Sequence, residues 1–396
     1  MTTEELATGV DDLSLVRGDW PYRLQRKVGL IPAQGLGVGR RAIFFTALAW
    51  LPIAVWAVLE GRALPAPGAV TEPLLEHFGV HARLLLGIPL LIIAEALAQK
   101  TATRLLPQFV NAGIVEQKSA PQFRAVLAGI ARLRDRAMPW VIIIGFALAW
   151  AFTGTVTERA HDLVWAAEPG PASSLGFGGW WYIYVSRPIF LVLLLGWLWR
   201  LMLLTLAFRR IARLDLAIVP THADRTGGLA FVERFTGAFS LVAFVPAAVI
   251  AGGWAHDAEF HGLDVHSLYP MMAAGLLVTL VVFLAPYLSF VGPLARAKKQ
   301  ALLDYGALVA RHGIAVRRKW IVGGLKNDEP LLSAPEIGPV ADTAVLYELV
   351  HGMRTIPIGK TGLLAIALPV VIPFVAVLAI QIPLMQLLQQ LAKGLL

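Results

Sequence analysis

Seven apolar stretches divide this chain, at 41–60, 83–98, 138–156, 181–207, 236–254, 270–292 and 361–386. Most approach the ~20 apolar residues that a helix needs to cross the hydrocarbon of a bilayer. No water is available there to bond peptide groups, and a helix satisfies all of its own within one segment. The expected fold class is therefore all-α, a polytopic helical membrane bundle of about seven transmembrane helices with cytoplasmic helical extensions. A hydrophobic content of 57% agrees, since few soluble domains carry so many long uncharged runs.

The charges predict an orientation. Of 34 Lys and Arg, 28 fall within 1–41, 99–137, 208–235 and 293–360, whereas the loops at 61–82, 157–180 and 255–269 hold only Arg62 and Arg159. The positive-inside rule places the N-terminus and the cation-rich segments in the cytoplasm. The formal charge of +8 then reflects topology and attraction to an anionic inner leaflet, not nucleic-acid binding. Residues 1–40 show no apolar core before a small-residue cleavage site, so the first span reads as an uncleaved anchor. The absence of cysteine removes disulfides and thiolate metal sites.

Four regions follow: a cytoplasmic arm over 1–40, a six-helix membrane region over 41–292 with a cytoplasmic helical loop at 99–137, a cytoplasmic helical segment over 293–360, and a seventh helix with its tail over 361–396. Within the arm, Trp20 to Lys27 mixes rings and cations as an interfacial helix does, or forms an ordered cytoplasmic element. Gly35, Gly37 and Gly39 read as a flexible hinge before the first span. Pro121 with apolar residues at helical spacing from Phe123 to Leu133 predicts an amphipathic helix. The sixth span is expected to continue to about Trp320, with a loop at 323–338 and a short helix from about Val340 to Met353. Pro369, Pro373 and Pro383 predict a kinked seventh crossing.

Three groups of residues carry chemistry. The first is a set of histidines expected on the extracytoplasmic side: His77, His81, His161, His256, His261 and His266, beside eight carboxylates. His77 and His81 stand four apart, which on a helix would put both on one face. With His256 and His261 they form a candidate site for Zn²⁺ or another divalent cation. The same groups could sense pH or form a solvated rim. The second group lies inside the spans. Glu95 and Arg200 sit about 7 and 13 Å from the inner interface, close enough in depth to pair if their helices are neighbours. The pair could lock two helices, with Trp197 or Trp199 beside the guanidinium. Alternatively, Glu95 and Gln381 could mark an ion pathway.

The third is the cytoplasmic loop containing His222, Asp224, Arg225, Gly227 and Gly228. Its glycines could expose amides to an anion, or the loop could be a turn capped by Thr221 or Asp224. The His-x-Asp-Arg-x-Gly-Gly-Leu pattern here resembles a group of uncharacterised bacterial multi-pass inner-membrane proteins. The similarity extends to Arg83–Glu95, Gly178-Trp180-Trp181 and Ile356 to Lys360. That resemblance implies topology and a bacterial inner membrane, and assigns no activity.

No hydrolase, zincin, phosphate-loop or dinucleotide motif occurs, so an enzyme is not expected. The leading expectation is a channel or transporter for small ions, mainly cations, with a possible homo-oligomeric state. The other expectation is a non-conducting scaffold or sensor of extracytoplasmic metal or pH.

Overall fold

A computed structural model describes residues 16–32, 35–65, 72–153, 163–167, 175–322 and 337–381. Ten helices are formed by the described residues: α1 (Trp20–Lys27), α2 (Val38–Leu59), α3 (Phe78–Asn111), α4 (Ala120–Arg134), α5 (Met138–Thr153), α6 (Phe177–Ile211), α7 (Ala230–Phe260), α8 (Val265–Val322), α9 (Ile337–His351) and α10 (Lys360–Gln381). Six of them, α2, α3, α6, α7, α8 and α10, are long and apolar enough to cross a membrane. The protein is a multi-pass helical bundle. The third apolar stretch forms α5, 16 residues long, and the rest of that stretch lies outside the described residues. His161, Pro383 and the 323–336 loop lie outside them too.

Prolines shape the long helices. A proline ring clashes with the carbonyl of the preceding turn and removes one donor. In α3 the turn Ala82–Gly87, just before Pro89, is widened to a π-helix, and in α6 the turn Tyr182–Ser186, just before Pro188, is widened in the same way. The two widened turns meet, because Arg83 Nη1 donates to the Tyr182 hydroxyl and Gly87 leaves room for the Phe190 ring. In α8, Pro286 falls in a 3-10 stretch, Ala285–Phe290, before the helix resumes.

Near the cation-rich ends of these helices the core is aromatic. Phe109, Phe208, Phe235, Tyr287 and Phe290 are fully buried, and the Phe208 and Phe290 ring centres stand 5.3 Å apart. This end is called the basic end below, and the opposite one the histidine end.

The described part of the N-terminal arm, through α1, packs on the bundle. Asp19 caps α1 by accepting the Tyr22 N–H at 2.9 Å, with Pro21 in the first turn. Arg23 donates to the Asp135 carbonyl, tying α1 to the α4–α5 junction. The hinge expected at Gly35–Gly39 is instead a tight turn. Gly37 has φ 58°, and a Cβ there would stand 2.9 Å from the Leu30 carbonyl oxygen, so only glycine fits this entry to α2.

Candidate functional site

At the histidine end, glycines set the geometry. Gly79 of α3 packs against Gly252 and Gly253 of α7. A Cβ on Gly252 would lie 3.0 Å from the Phe78 carbonyl oxygen. Small residues let two helix backbones approach this closely. The crossing brings His77, just ahead of α3, onto His256, one turn beyond Gly252. Their rings stack with centres 4.5 Å apart.

Three imidazoles then converge on one carboxylate. Glu72 Oε2 lies 3.0 Å from His256 Nε2 and 3.5 Å from His77 Nε2, while Glu72 Oε1 lies 2.8 Å from His261 Nε2. Burial raises the Glu72 pKa, but the hydrogen bond from His261 and the positive potential of His256, His261 and His77 outweigh it. The carboxyl is held below its usual range. The other ring nitrogens are also positioned. His256 Nδ1 is 2.9 Å from the Glu76 carbonyl oxygen, and His261 Nδ1 is 3.6 Å from Asp257. A carbonyl can only accept, so His256 Nδ1 carries its proton and Nε2 presents a lone pair whenever the ring is neutral. A lone pair facing a carboxylate at 3.0 Å needs a proton or a cation between them. An imidazole that donates Nδ1–H to a carbonyl and turns Nε2 inward has the orientation of a metal-bound histidine.

Zn²⁺ bonds of ~2.0–2.1 Å give a tetrahedral ligand–ligand separation of about 3.3–3.4 Å. The ligand atoms of Glu72, His256 and His261 lie within 4.8 Å of one another. The separations from Glu72 to His261 and His256, 2.8 and 3.0 Å, fall a little below that value, and the one to His77, 3.5 Å, a little above it. Glu72 and His261 are partly exposed, so an ion has a way in. Of the four histidines expected to converge, His77, His256 and His261 do so. His81 does not: its Nδ1 accepts from Trp50 Nε1 at 3.2 Å and its Nε2 donates to the Leu74 carbonyl at 3.0 Å. His77 has φ −79° and ψ 76°, outside the helix, so the four-residue spacing does not stack it over His81. His266 is engaged locally by Asp264. If the glycine crossing sets this site, Gly252→Val should part the helices, cost about 1–3 kcal/mol as overpacking does, and weaken metal binding more than Gly253→Ala. Thermal unfolding and metal titration of both variants check this.

The intramembrane charges form a second cluster. Arg200 Nη1 lies 2.8 Å from Glu95 Oε1 and Arg200 Nη2 lies 2.9 Å from Asp19 Oδ2. Arg41 holds the other Glu95 oxygen at 2.5 Å and Gln25 Oε1 through its Nε. Asp19, Arg41, Glu95 and Arg200 are all buried. The guanidinium of Arg200 stacks near the rings of Trp197 and Trp140, at 5.2 and 5.8 Å from their centres. Trp199 is not its partner ring. The Gln381 side chain lies outside the described residues.

At the basic end the loop motif is a cap. Asp224 accepts the N–H groups of Thr226, Gly228 and Ala230 at 2.8, 3.1 and 3.0 Å, the last opening α7. Burial opposes its ionisation, yet those three donors outweigh it and hold the Asp224 carboxyl below the usual range. Arg225, Gly227 and Gly228 all have positive φ, which bends the loop around this carboxylate. His222 Nδ1 accepts the Asp224 N–H at 3.2 Å and its ring is half exposed. The Thr226 and Gly228 amides, which could have faced an anion, are thus occupied. The Arg225 carbonyl accepts from Arg354 N–H, and Glu233 accepts from Gly359 and Gly362 at the start of α10. Asp224→Ala should lower stability by about 1 kcal/mol or more, as loss of a cap does. A lowered folded pKa means this contribution is present above the ordinary aspartate value, ~3.9, and fades as pH falls through the lowered one. Denaturation of wild type and variant should therefore converge at strongly acid pH.

Comparison with protein-family models, curated proteins and solved structures finds no match.

Proposed function

We propose that this protein binds a divalent transition metal, Zn²⁺ or a similar borderline cation, at the histidine end and acts as a membrane sensor or scaffold for it. The observation that carries this reading is the set of Nε2 atoms of His256, His261 and His77 around the single Glu72 carboxylate, with His256 Nδ1 fixed on a carbonyl. Three protonated imidazoles would leave an excess of two positive charges there, with His77 and His256 stacked as like charges. A divalent ion with neutral imidazoles relieves that repulsion and uses every inward lone pair. Imidazole and carboxylate together suit Zn²⁺ and its neighbours better than Mg²⁺ or Ca²⁺.

The cation-pathway reading has weaker support. Both oxygens of Glu95 are held by guanidinium groups, so the carboxylate offers a passing cation no uncompensated charge. Purified protein in liposomes should accordingly show no cation flux above that of empty vesicles. Dialysed against Zn²⁺, it should retain one ion per chain by elemental analysis. His256→Ala and His261→Ala should retain none, and His222→Ala should retain the full complement. Failure of the wild type to retain Zn²⁺ would sink this function.

The reading includes a bacterial inner membrane, as the resemblance implies, with the histidine end extracytoplasmic and the N-terminus inside, an orientation supported by the distribution of Lys and Arg. The chain has no native thiol, so single cysteines report orientation directly. An impermeant maleimide should label Asp264→Cys in intact cells and leave Arg311→Cys unlabelled until the membrane is opened. The reverse pattern would turn the site inward.

A further inference from the structure

The charge cluster forms one end of a cavity of about 310 Å³, between α2, α5 and α6, with α1 at the same end. This is at the lower limit of small-molecule pockets. Away from Asp19, Gln25, Arg41, Glu95 and Arg200 its walls are mostly apolar, from residues such as Phe45, Ile144, Leu148, Ile189, Val192 and Leu193, with Tyr184 toward the other end. On α6 the lining runs from Tyr184 to Arg200, about 24 Å at 1.5 Å per residue. The cavity is thus a slot lying along the membrane-spanning helices, apolar for most of its length and polar at the basic end.

Two donors at that polar end have no acceptor among the described residues. Trp140 Nε1 and Arg200 Nε are buried without a hydrogen-bond partner, and both residues line the slot. Trp140 is 3% exposed and Arg200 4%, so neither donor is left to bulk water. Buried donors almost always have partners, and an orphaned one costs about 1–3 kcal/mol. The charges there already balance, two carboxylates against two guanidinium groups. An additional anion would bring an uncompensated charge into a low-dielectric site, at a cost of several kcal/mol. A neutral oxygen acceptor adds none.

We infer that the slot holds one acyl chain of a membrane glycerolipid, with a neutral ester oxygen at the polar end accepting from Arg200 Nε and Trp140 Nε1. The bilayer supplies such chains at the right depth, and the slot provides both an apolar track and donors for the ester. The site is distinct from the histidine site and does not depend on metal binding there.

The test is mass spectrometry of lipid retained by the full-length protein after exhaustive exchange into detergent. Wild type should carry about one glycerolipid per chain. Val192→Phe, which narrows the slot, and Trp140→Phe, which keeps a ring and removes the donor, should each lower retention several-fold. Trp140→Phe guards against misfolding, since it preserves most of the packing. Re-addition of a diacylglycerolipid to the delipidated protein should raise its Tm, and a free fatty acid of the same chain length should not. Equal retention by all three proteins would identify the lipid as annular and overturn the inference. Stabilisation by the fatty acid alone would overturn the neutral ester head.

Discussion

Glu95→Gln should lower the unfolding free energy in detergent by about 3–5 kcal/mol, the range seen when one member of a buried ion pair is removed. The effect is large because two guanidinium groups, Arg41 and Arg200, converge on that carboxylate with almost no solvent to replace it. Arg200→Gln should be of similar size for a different reason. It leaves Asp19 with no cationic partner, while Glu95 keeps Arg41. Removing both Glu95 and Arg200 should cost less than the sum of the single losses, because the second substitution removes a charge that the first had stranded. Strict additivity would show that the two groups are not coupled. If Glu95→Gln instead left stability unchanged and abolished a measurable cation flux, the pathway role would replace the structural one.

Zn²⁺ should raise the thermal stability of the wild type by several degrees, and a chelator should reverse the rise. A ligand that binds only the folded state stabilises it by about 2.7 kcal/mol at a hundredfold excess over its Kd. The shift should shrink on acidification, because protons compete with the metal for the imidazole lone pairs. His256→Ala should abolish it, since His256 is held by the Glu76 carbonyl on one side and faces Glu72 on the other. His81→Ala should keep the shift, although it strands Trp50 Nε1 and costs stability by that separate route. A wild-type melting curve indifferent to Zn²⁺ at neutral pH would leave the cluster as a polar rim.

Much of this architecture is legible in the residues. Long uncharged runs translate directly into α2, α3, α6, α7, α8 and α10, because peptide groups in hydrocarbon have few other solutions. Depth along the helix sufficed to bring Glu95 and Arg200 to a common level, and the structure places them in contact. Their further partners were hidden for a reason of topology. Arg41 reads as one more interfacial cation, and Asp19 as one more acid in a polar arm, until α1 folds back beneath the bundle. A signal for half of this existed: Asp19 directly before Trp20-Pro21 has the pattern of a helix cap.

The histidine site shows the converse. Pairing His77 with His81 applied a helical period to a residue that is not helical. The true hub, Glu72, lies in an irregular segment where no periodicity points to it, and only the Gly79–Gly252 crossing brings the two helices together around it. Glu233 was missed similarly, since its role is to cap α10 more than a hundred residues downstream.

The charge cluster has a consequence for biosynthesis. Its four members emerge from the ribosome in the order Asp19, Arg41, Glu95, Arg200. Arg41 and Glu95 belong to successive spans, so a nascent hairpin of α2 and α3 can neutralise both before the rest of the chain exists. Arg200 arrives about a hundred residues later, on α6, and meets a carboxylate that is already half satisfied. Asp19, made first, acquires its cation last, so the arm gains this buried ion pair only when the fourth member has been inserted. Formation of the Asp19–Arg200 pair therefore marks the insertion of α6. A quality-control protease that recognises an undocked α1 would discriminate chains that have inserted α6 from those stalled before it.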